Sequence, residues 1–144
     1  MARAVAAGAT LACPARLIAA CAVCAEDVLG ADGFVFVCPE NLGTMSGMMK
    51  DMFDRTYYPA LGQIEGRVYA TVIAAGSDGS GAQSQIDRIV KGWRLRRVAE
   101  PLIVNLGAQT PSQILAPKNV VSSALQQCHE LGQTLGAGLM MGVY

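Results

Sequence analysis

Charge of either sign is missing from this sequence as a surplus: among 144 residues, eleven Lys and Arg balance eleven Asp and Glu. A neutral chain has no long-range field to gather nucleic acid, an anionic membrane or a charged electron-transfer partner. Histidine is nearly absent. His129 is the only one, it stands on a predicted helix with no Cys or carboxylate at ligand spacing, and no metal site is expected. No apolar run approaches the roughly 20 residues of a membrane span. The opening "MARAVAAGATLACPARLIAAC" lacks the unbroken apolar core of an export signal, because Pro14 and Arg16 divide it. An even, regularly spaced cysteine set is also lacking. The five cysteines read as reduced thiols among apolar neighbours, which points to the cytoplasm. Cys21 and Cys24 in "CAVC" have redox spacing without the strand and helix entry that would lower a thiol pKa, so buried packing is expected of them.

What is present is a chain that is 52% hydrophobic with 16 glycines, the balance of a folded domain and not of a disordered segment. At this length one domain, residues 1–144, is expected, burying about two thirds of the surface of its unfolded form. Continuous apolar runs at 33–38 (GFVFVC), 67–75 (RVYATVIAA) and 98–106 (VAEPLIVNL) lack the alternation of a half-exposed strand and suit a parallel sheet covered on both faces. Between them lie helical patterns at about 47–57, capped by Ser46 and limited by Pro59, at 81–92, and at 119–141. Residues 1–8 and 24–31 read as short helices, with "ARLIA" (15–19) as a weak strand between them. Strands alternating with helices give an open α/β layer fold joined by right-handed crossovers.

In such a sheet a ligand lies off the carboxyl ends of the strands. Those ends are "PENLGTMSG" (39–47), "GSDGSG" (76–81) and the "GAQTP" that opens a long loop, 107–118. Gly, Ser, Thr, Asn and Asp there let backbone N–H groups and hydroxyls face a flat ligand with a polar rim, although turn chemistry alone also favours these residues. The first loop is longer than a simple crossover needs. Other chemistries are excluded one by one. No Ser lies in G-x-S-x-G, no Walker sequence occurs, and "GSGAQS" has Ser84 where a dinucleotide fingerprint closes on Gly. Cys38 and Pro39 stand where a phospho-acceptor would need an acidic residue. The basic run Lys91, Arg94, Arg96 and Arg97 around Trp93 reads as a solvated helix end.

Residues 32–55, "DGFVFVCPENLGTMSGMMKDMFDR", resemble the middle segment of the flavodoxin-like FMN proteins, the NAD(P)H-dependent FMN reductase and quinone reductase superfamily, in which a strand ends in a Pro-containing loop followed by such a helix. The resemblance extends less specifically over residues 1 to about 141. It implies a flavodoxin-like, doubly wound parallel sheet with FMN at the strand ends and NAD(P)H as donor to a small-molecule acceptor, a quinone or a flavin. Pro39, Glu40, Asn41, Leu42, Gly43, Thr44, Met45 and Ser46 would hold the isoalloxazine edge, mainly through the backbone of residues 42–45. Gly76, Ser77, Asp78 and Gly79 would flank its other side. Met48, Met49 and Met52 would lie under the ring or in a subunit interface, or else in the core. Tyr57, Tyr58 and Asp78 are placed near the ring, where they could touch substrate, although a structural role is the favoured reading of each, and no side chain is singled out as acid or base.

The chain departs from this family in beginning at what reads as the first helix. The strand and Ser/Thr/Gly phosphate loop that the resemblance places ahead of it are expected in the preceding codons. Two or three absent charge-assisted hydrogen bonds to phosphate, at about 1.5–3 kcal/mol each, amount to a roughly hundredfold to millionfold loss of FMN affinity for residues 1–144. The alternative is a flavin-free scaffold or interaction module. The tail "LGAGLMMGVY" hints at a subunit contact, in a homodimer or homotetramer.

Overall fold

The computed structural model describes residues 1–144 and is organised around one strand. Strand β3 (Val68–Ala75) is buried at every position except Ala74, as a continuous apolar run covered on both faces must be. On one side it pairs in parallel with β1 (Gly33–Asn41), in register from Gly33↔Val68 to Pro39↔Ala74. On the other it pairs in parallel with β4 (Arg96–Arg97) near its start and with β5 (Leu102–Asn105) near its end. The run predicted at 98–106 is thus broken: Pro101 has no N–H to give to a ladder, and regular pairing resumes only at Leu102.

Beyond Pro39, β1 continues into an antiparallel hairpin with β2 (Thr44–Met45), closed by Leu42 and Gly43 at φ 54° and 72°. Two consecutive left-handed residues form the turn whose twist matches that of the flanking strands. This hairpin has no counterpart in the sequence reading, which took 39–47 as loop throughout.

Helices cover both faces, as the doubly wound expectation requires. On one face α1 (Ala2–Thr10) lies against α6 (Ser122–Met140), and Val5 and Cys128 pack with Val35, Val37 and Val72. Glycines allow the backbones to touch: a Cβ on Gly8 would stand 1.9 Å from the His129 carbonyl oxygen, and one on Gly132 would stand 2.0 Å from that of Val5. On the other face lie α2 (Ala25–Leu29), α3 (Gly47–Ala60) and α4 (Ser80–Gly92). Phe36, Phe53, Ile73, Ile86 and the fully buried Trp93 form the main core there. The Trp93 indole N–H donates to the Tyr57 carbonyl at 2.9 Å, so the aromatic residue in the basic run is core and only its cationic neighbours face water. Met45, Met49 and Met52 are buried in this layer while Met48 is exposed, which assigns the methionine stripe largely to packing. No helix is long and apolar enough to cross a membrane.

The expected strand at 15–19 does not form. Residues Pro14–Ala19 are irregular, and their only backbone hydrogen bond is the Ala19 carbonyl accepting from Ala22 N–H at 2.8 Å. A strand exists only by pairing, and no edge pairs with this one. The chain after it is pinned instead by two guanidiniums. Arg55 donates to the carbonyls of Ala20 (2.8 Å) and Val23 (2.5 Å), and Arg67 donates to those of Leu29 (2.7 Å) and Ala31 (2.6 Å) past the end of α2. Cys21 and Cys24 are exposed free thiols, not the buried pair expected, whereas Cys38 and Cys128 are buried.

Candidate functional site

The parallel register Pro39↔Ala74 and Ala75↔Asn105 brings the carboxyl ends of β1, β3 and β5 to one rim. The loops that follow, 39–47, 76–81 and the start of 107–118, therefore lie side by side. The sequence alone could not show how the first two are joined. Glu40 reaches across the sheet, and its carboxylate oxygens accept the N–H groups of Gly79 and Ala82, each at 2.9 Å. A carboxylate on the first turn of α4 satisfies donors that the helix leaves unpaired and meets the positive end of its dipole. A second tie runs from Met45 N–H to the Gln85 side-chain oxygen at 3.0 Å. The backbones then close together: a Cβ on Gly81 would lie 2.0 Å from the Gly43 carbonyl oxygen.

These ties sort the expected site residues. Glu40 and the Met45 N–H are committed to holding the rim together. Met45 itself is buried, and Gly79 is buried at φ 98°, where a Cβ would stand 2.5 Å from Ile103. What remains presented to solvent is Pro39, Asn41, the fully exposed Leu42, Gly43 and Thr44, followed by the half-exposed Ser46. A Cβ on Gly43 or Gly47 would meet nothing within 4 Å, so this part of the rim is side-chain-free backbone facing open space. Across from it, the Ser77 carbonyl accepts from the Asn105 amide, the Ser80 hydroxyl donates to Asp78, and the Gly76 carbonyl accepts from Ala108 N–H at 2.9 Å. Gln85 and Asn105 were missed by sequence reasoning, whereas Gly81 was read as one of the residues 76–81 flanking the ring, without its close approach to Gly43. Nothing local marks Gln85 or Asn105 as reaching another loop.

Electrostatically the rim is quiet. Its loops carry Glu40, Asp78 and Lys118 as their charged residues, and the Lys118 ammonium is held by the carbonyls of Gln113, Ile114 and Ala116 at 2.6–2.7 Å. Below the rim, burial pushes the Cys38 thiol up, against an opposing hydrogen bond from the Ser46 backbone, which leaves it a protonated, inert packing group. The rim fits a planar ring with a polar edge. For a phosphate it offers little, because Glu40 already occupies two donors of α4 and no loop has a free cation.

Two of the expected neighbours are not there. Tyr57 and Tyr58 sit ten and eleven residues into α3, roughly 15 Å below the rim at 1.5 Å per residue. They line a groove of about 250 Å³ between α3 and α4 with Lys50, Phe53 and Arg88. A larger cavity of about 580 Å³, lined by Tyr69, Asp87, Lys91, Arg94 and Leu95, lies at the opposite end of β3. The basic run borders it with two of its four charges paired, Arg97 with Asp87 and Arg94 with Glu65 at 3.2 Å.

Residues 13–106 match the family model described as NADPH-dependent FMN reductase. No curated protein matches the sequence. Among solved structures, the chain resembles a flavodoxin from the domain Archaea with a TM-score of 0.74 at 14% identity, covering 96% of this chain and 87% of that one. A WrbA-like flavodoxin from Agrobacterium tumefaciens gives 0.63 at 17% identity over 96% and 87% of the two chains. An NADPH-quinone reductase from P. pentosaceus gives 0.51 at 17% identity over 76% and 69%. At these identities the likeness is one of fold, and the flavodoxin-like architecture read from the sequence is the one observed.

Proposed function

The chain belongs to the NADPH-dependent FMN reductase family, and from that premise we propose that its rim positions FMN for transfer of electrons from NAD(P)H to a small acceptor, a quinone or a free flavin. The observation that carries this reading is the Glu40 clamp. It holds two glycine-bearing loops at fixed separation while leaving the backbone at Gly43 and Gly47 open, as a flat ring requires. The isoalloxazine edge would be held by Asn41, Leu42, Gly43, Thr44 and Ser46 on one side and by Ser77 and Asp78 on the other. Bound flavin supplies the redox chemistry, accepting a hydride and releasing electrons. The protein's part is to orient the ring: Leu42 gives an apolar surface beside it, and the Thr44 and Ser46 hydroxyls give hydrogen-bonding partners at its rim. Asp78 contributes the one carboxylate on the rim not used to join its loops.

Other features fit the same reading. Five free thiols suit a reducing, cytoplasmic setting, and the exposed Met140, Met141 and Val143 suit contact with a second copy. A flavin-free scaffold is the competing reading, favoured by the lack of any uncommitted cation on the rim. Titrating FMN with protein while following flavin fluorescence separates the two. Quenching, together with FMN-dependent NAD(P)H oxidation in the presence of a quinone, is expected. Unchanged fluorescence across micromolar to millimolar protein defeats the flavin reading.

A further inference from the structure

Cys21 and Cys24 are exposed free thiols three residues apart. For a disulfide to join them their Cα atoms must lie within roughly 7 Å, whereas a straight segment of this length spans about 10 Å. The chain here is bent. Ala20–Ala22 form a turn of 3₁₀ helix in which Ala22 N–H donates to the Ala19 carbonyl at 2.8 Å, and such a turn advances only about 2 Å per residue. One side chain of α3 holds the bend. The two terminal nitrogens of Arg55 donate to the carbonyls of Ala20 (2.8 Å) and Val23 (2.5 Å), the residues that directly precede the two cysteines. A single guanidinium could not reach both from a straight segment. Its Nε donates to Asp51 at 2.8 Å, which orients the clamp, and every group in it belongs to α3 or to the turn beside it.

The two sulfurs differ in setting. Cys24 stands just ahead of α2, where its N–H and its thiol both donate to the Asp27 carboxylate, at 2.9 and 3.1 Å. Hydrogen bonds to the Glu26 and Asp27 carboxylates push the Cys24 thiol up, against an opposing bond from the Asp27 N–H. A raised thiol supplies little thiolate near neutral pH, and the thiolate is the nucleophile. Cys21 lies in the turn, outside that pair of carboxylates.

We propose that Cys21 and Cys24 form a redox-active dithiol, held bent by Arg55, that exchanges with low-molecular-weight disulfides and closes a reversible intramolecular disulfide. Cys21 is the attacking sulfur and Cys24 the resolving one. The Cys21 thiolate, its proton lost to water, attacks one sulfur of a disulfide RSSR; a mixed disulfide forms and the first RS⁻ leaves. The Cys24 sulfur gives its proton to water, turns from Asp27, attacks the Cys21 sulfur and expels the second RS⁻. Each leaving thiolate takes up a proton, so two protein thiols are oxidised and one RSSR is reduced to two RSH. A solvent-exposed bond of this kind is readily reduced again, which suits a chain whose thiols rest free. The exchange uses no group of the rim and does not depend on flavin binding.

The test incubates the full chain with glutathione disulfide, alkylates the thiols that remain and maps them by mass spectrometry. Alkylation is expected to disappear at Cys21 and Cys24 together, with two hydrogens missing from the peptide that carries both, and to return after dithiothreitol. Cys24→Ser should stop at a stable glutathione adduct on Cys21, and Cys21→Ser should react at least tenfold more slowly. Arg55→Lys replaces the two-pronged guanidinium by a single nitrogen; with its fold checked by circular dichroism, it should lengthen the life of the mixed disulfide at least threefold. Each of four results would overturn the proposal. They are both thiols still fully alkylated, glutathione adducts that never close to the intramolecular bond, a bond to Cys13 or between two chains in its place, or closure in Arg55→Lys as fast as in the native chain.

Discussion

Removing the carboxylate of Glu40 should separate the two loops of the rim. In the native chain this half-buried group accepts two backbone N–H groups at 2.9 Å. Hydrogen bonds to a charged acceptor are worth about 1.5–3 kcal/mol each, and a negative charge on a helix N-terminus adds about 0.3–1 kcal/mol. Solvent screening reduces that sum at a partly exposed site, and the Met45–Gln85 hydrogen bond still holds the loops together at one point. For Glu40→Ala the expected loss is about 2–3 kcal/mol, a fall in Tm of roughly 6–12 °C for a domain of this size. Glu40→Gln retains one acceptor but turns an NH2 group toward the second donor, so it should lose at least half as much. Urea denaturation of the three proteins measures these differences directly. If Glu40→Ala unfolds within 0.5 kcal/mol of the native chain, the carboxylate is not clamping the rim, and the geometric support for the flavin reading goes with it. If stability falls as expected, FMN affinity should fall too, by at least tenfold, because the ring would meet loops no longer held at one spacing.

Three further outcomes follow from the same structure. Gly132→Ala places a methyl 2.0 Å from the Val5 carbonyl oxygen; α1 and α6 must move apart, at a cost of about 1–3 kcal/mol, read as a lower urea midpoint. Leu42 holds φ at 54°, strain of about 1–2 kcal/mol for a branched side chain. Leu42→Asn should therefore raise stability by about 0.5–1 kcal/mol in the same assay while weakening FMN binding in a fluorescence titration, if the leucine is kept for the ring. Burial works to raise Asp87, but hydrogen bonds from Arg97, Gln83 and Tyr69 outweigh it and hold its carboxyl below the ordinary 3.8. A depressed carboxyl contributes stability above its unfolded pKa that is lost as pH falls through its folded value. Asp87→Asn should accordingly lose stability at about pH 6 and show a shallower further loss toward pH 3, measured by urea midpoints at the two values.

The parts of the fold that were legible in the sequence are those fixed by local pattern. β1 and β3 announced themselves as uninterrupted apolar runs, and α3 as a stripe of Met and Phe with Lys50–Asp54 and Asp51–Arg55 pairs on its other face, both of which form. The segment 15–19 was misread because "ARLIA" has the composition of a strand, and composition says nothing about whether an edge is present to pair with. The hairpin at Leu42–Gly43 was hidden for a related reason: its left-handed leucine breaks the Asn-Gly or Asp-Gly pattern that usually marks such a turn. At the rim, the glycine-rich loops could be located but their contacts could not. Glu40 was included as one more loop residue, and its partners are 39 and 42 residues away. The placement of Tyr57 and Tyr58 near the ring failed on simple helix length.

The pairing of α1 with α6 has a consequence for how the protein is made. Helix α1 leaves the ribosome well before the helix it docks against, α6, and at 5–20 residues per second some 120 residues of synthesis separate them by roughly 6–25 seconds. During that interval the glycine-faced surface of α1 has nothing to lie against, and the apolar side chains of Val5 and Met1 stay in water or in the care of a chaperone. Helices α3 and α4, by contrast, are near neighbours in the chain and can assemble while it is still growing.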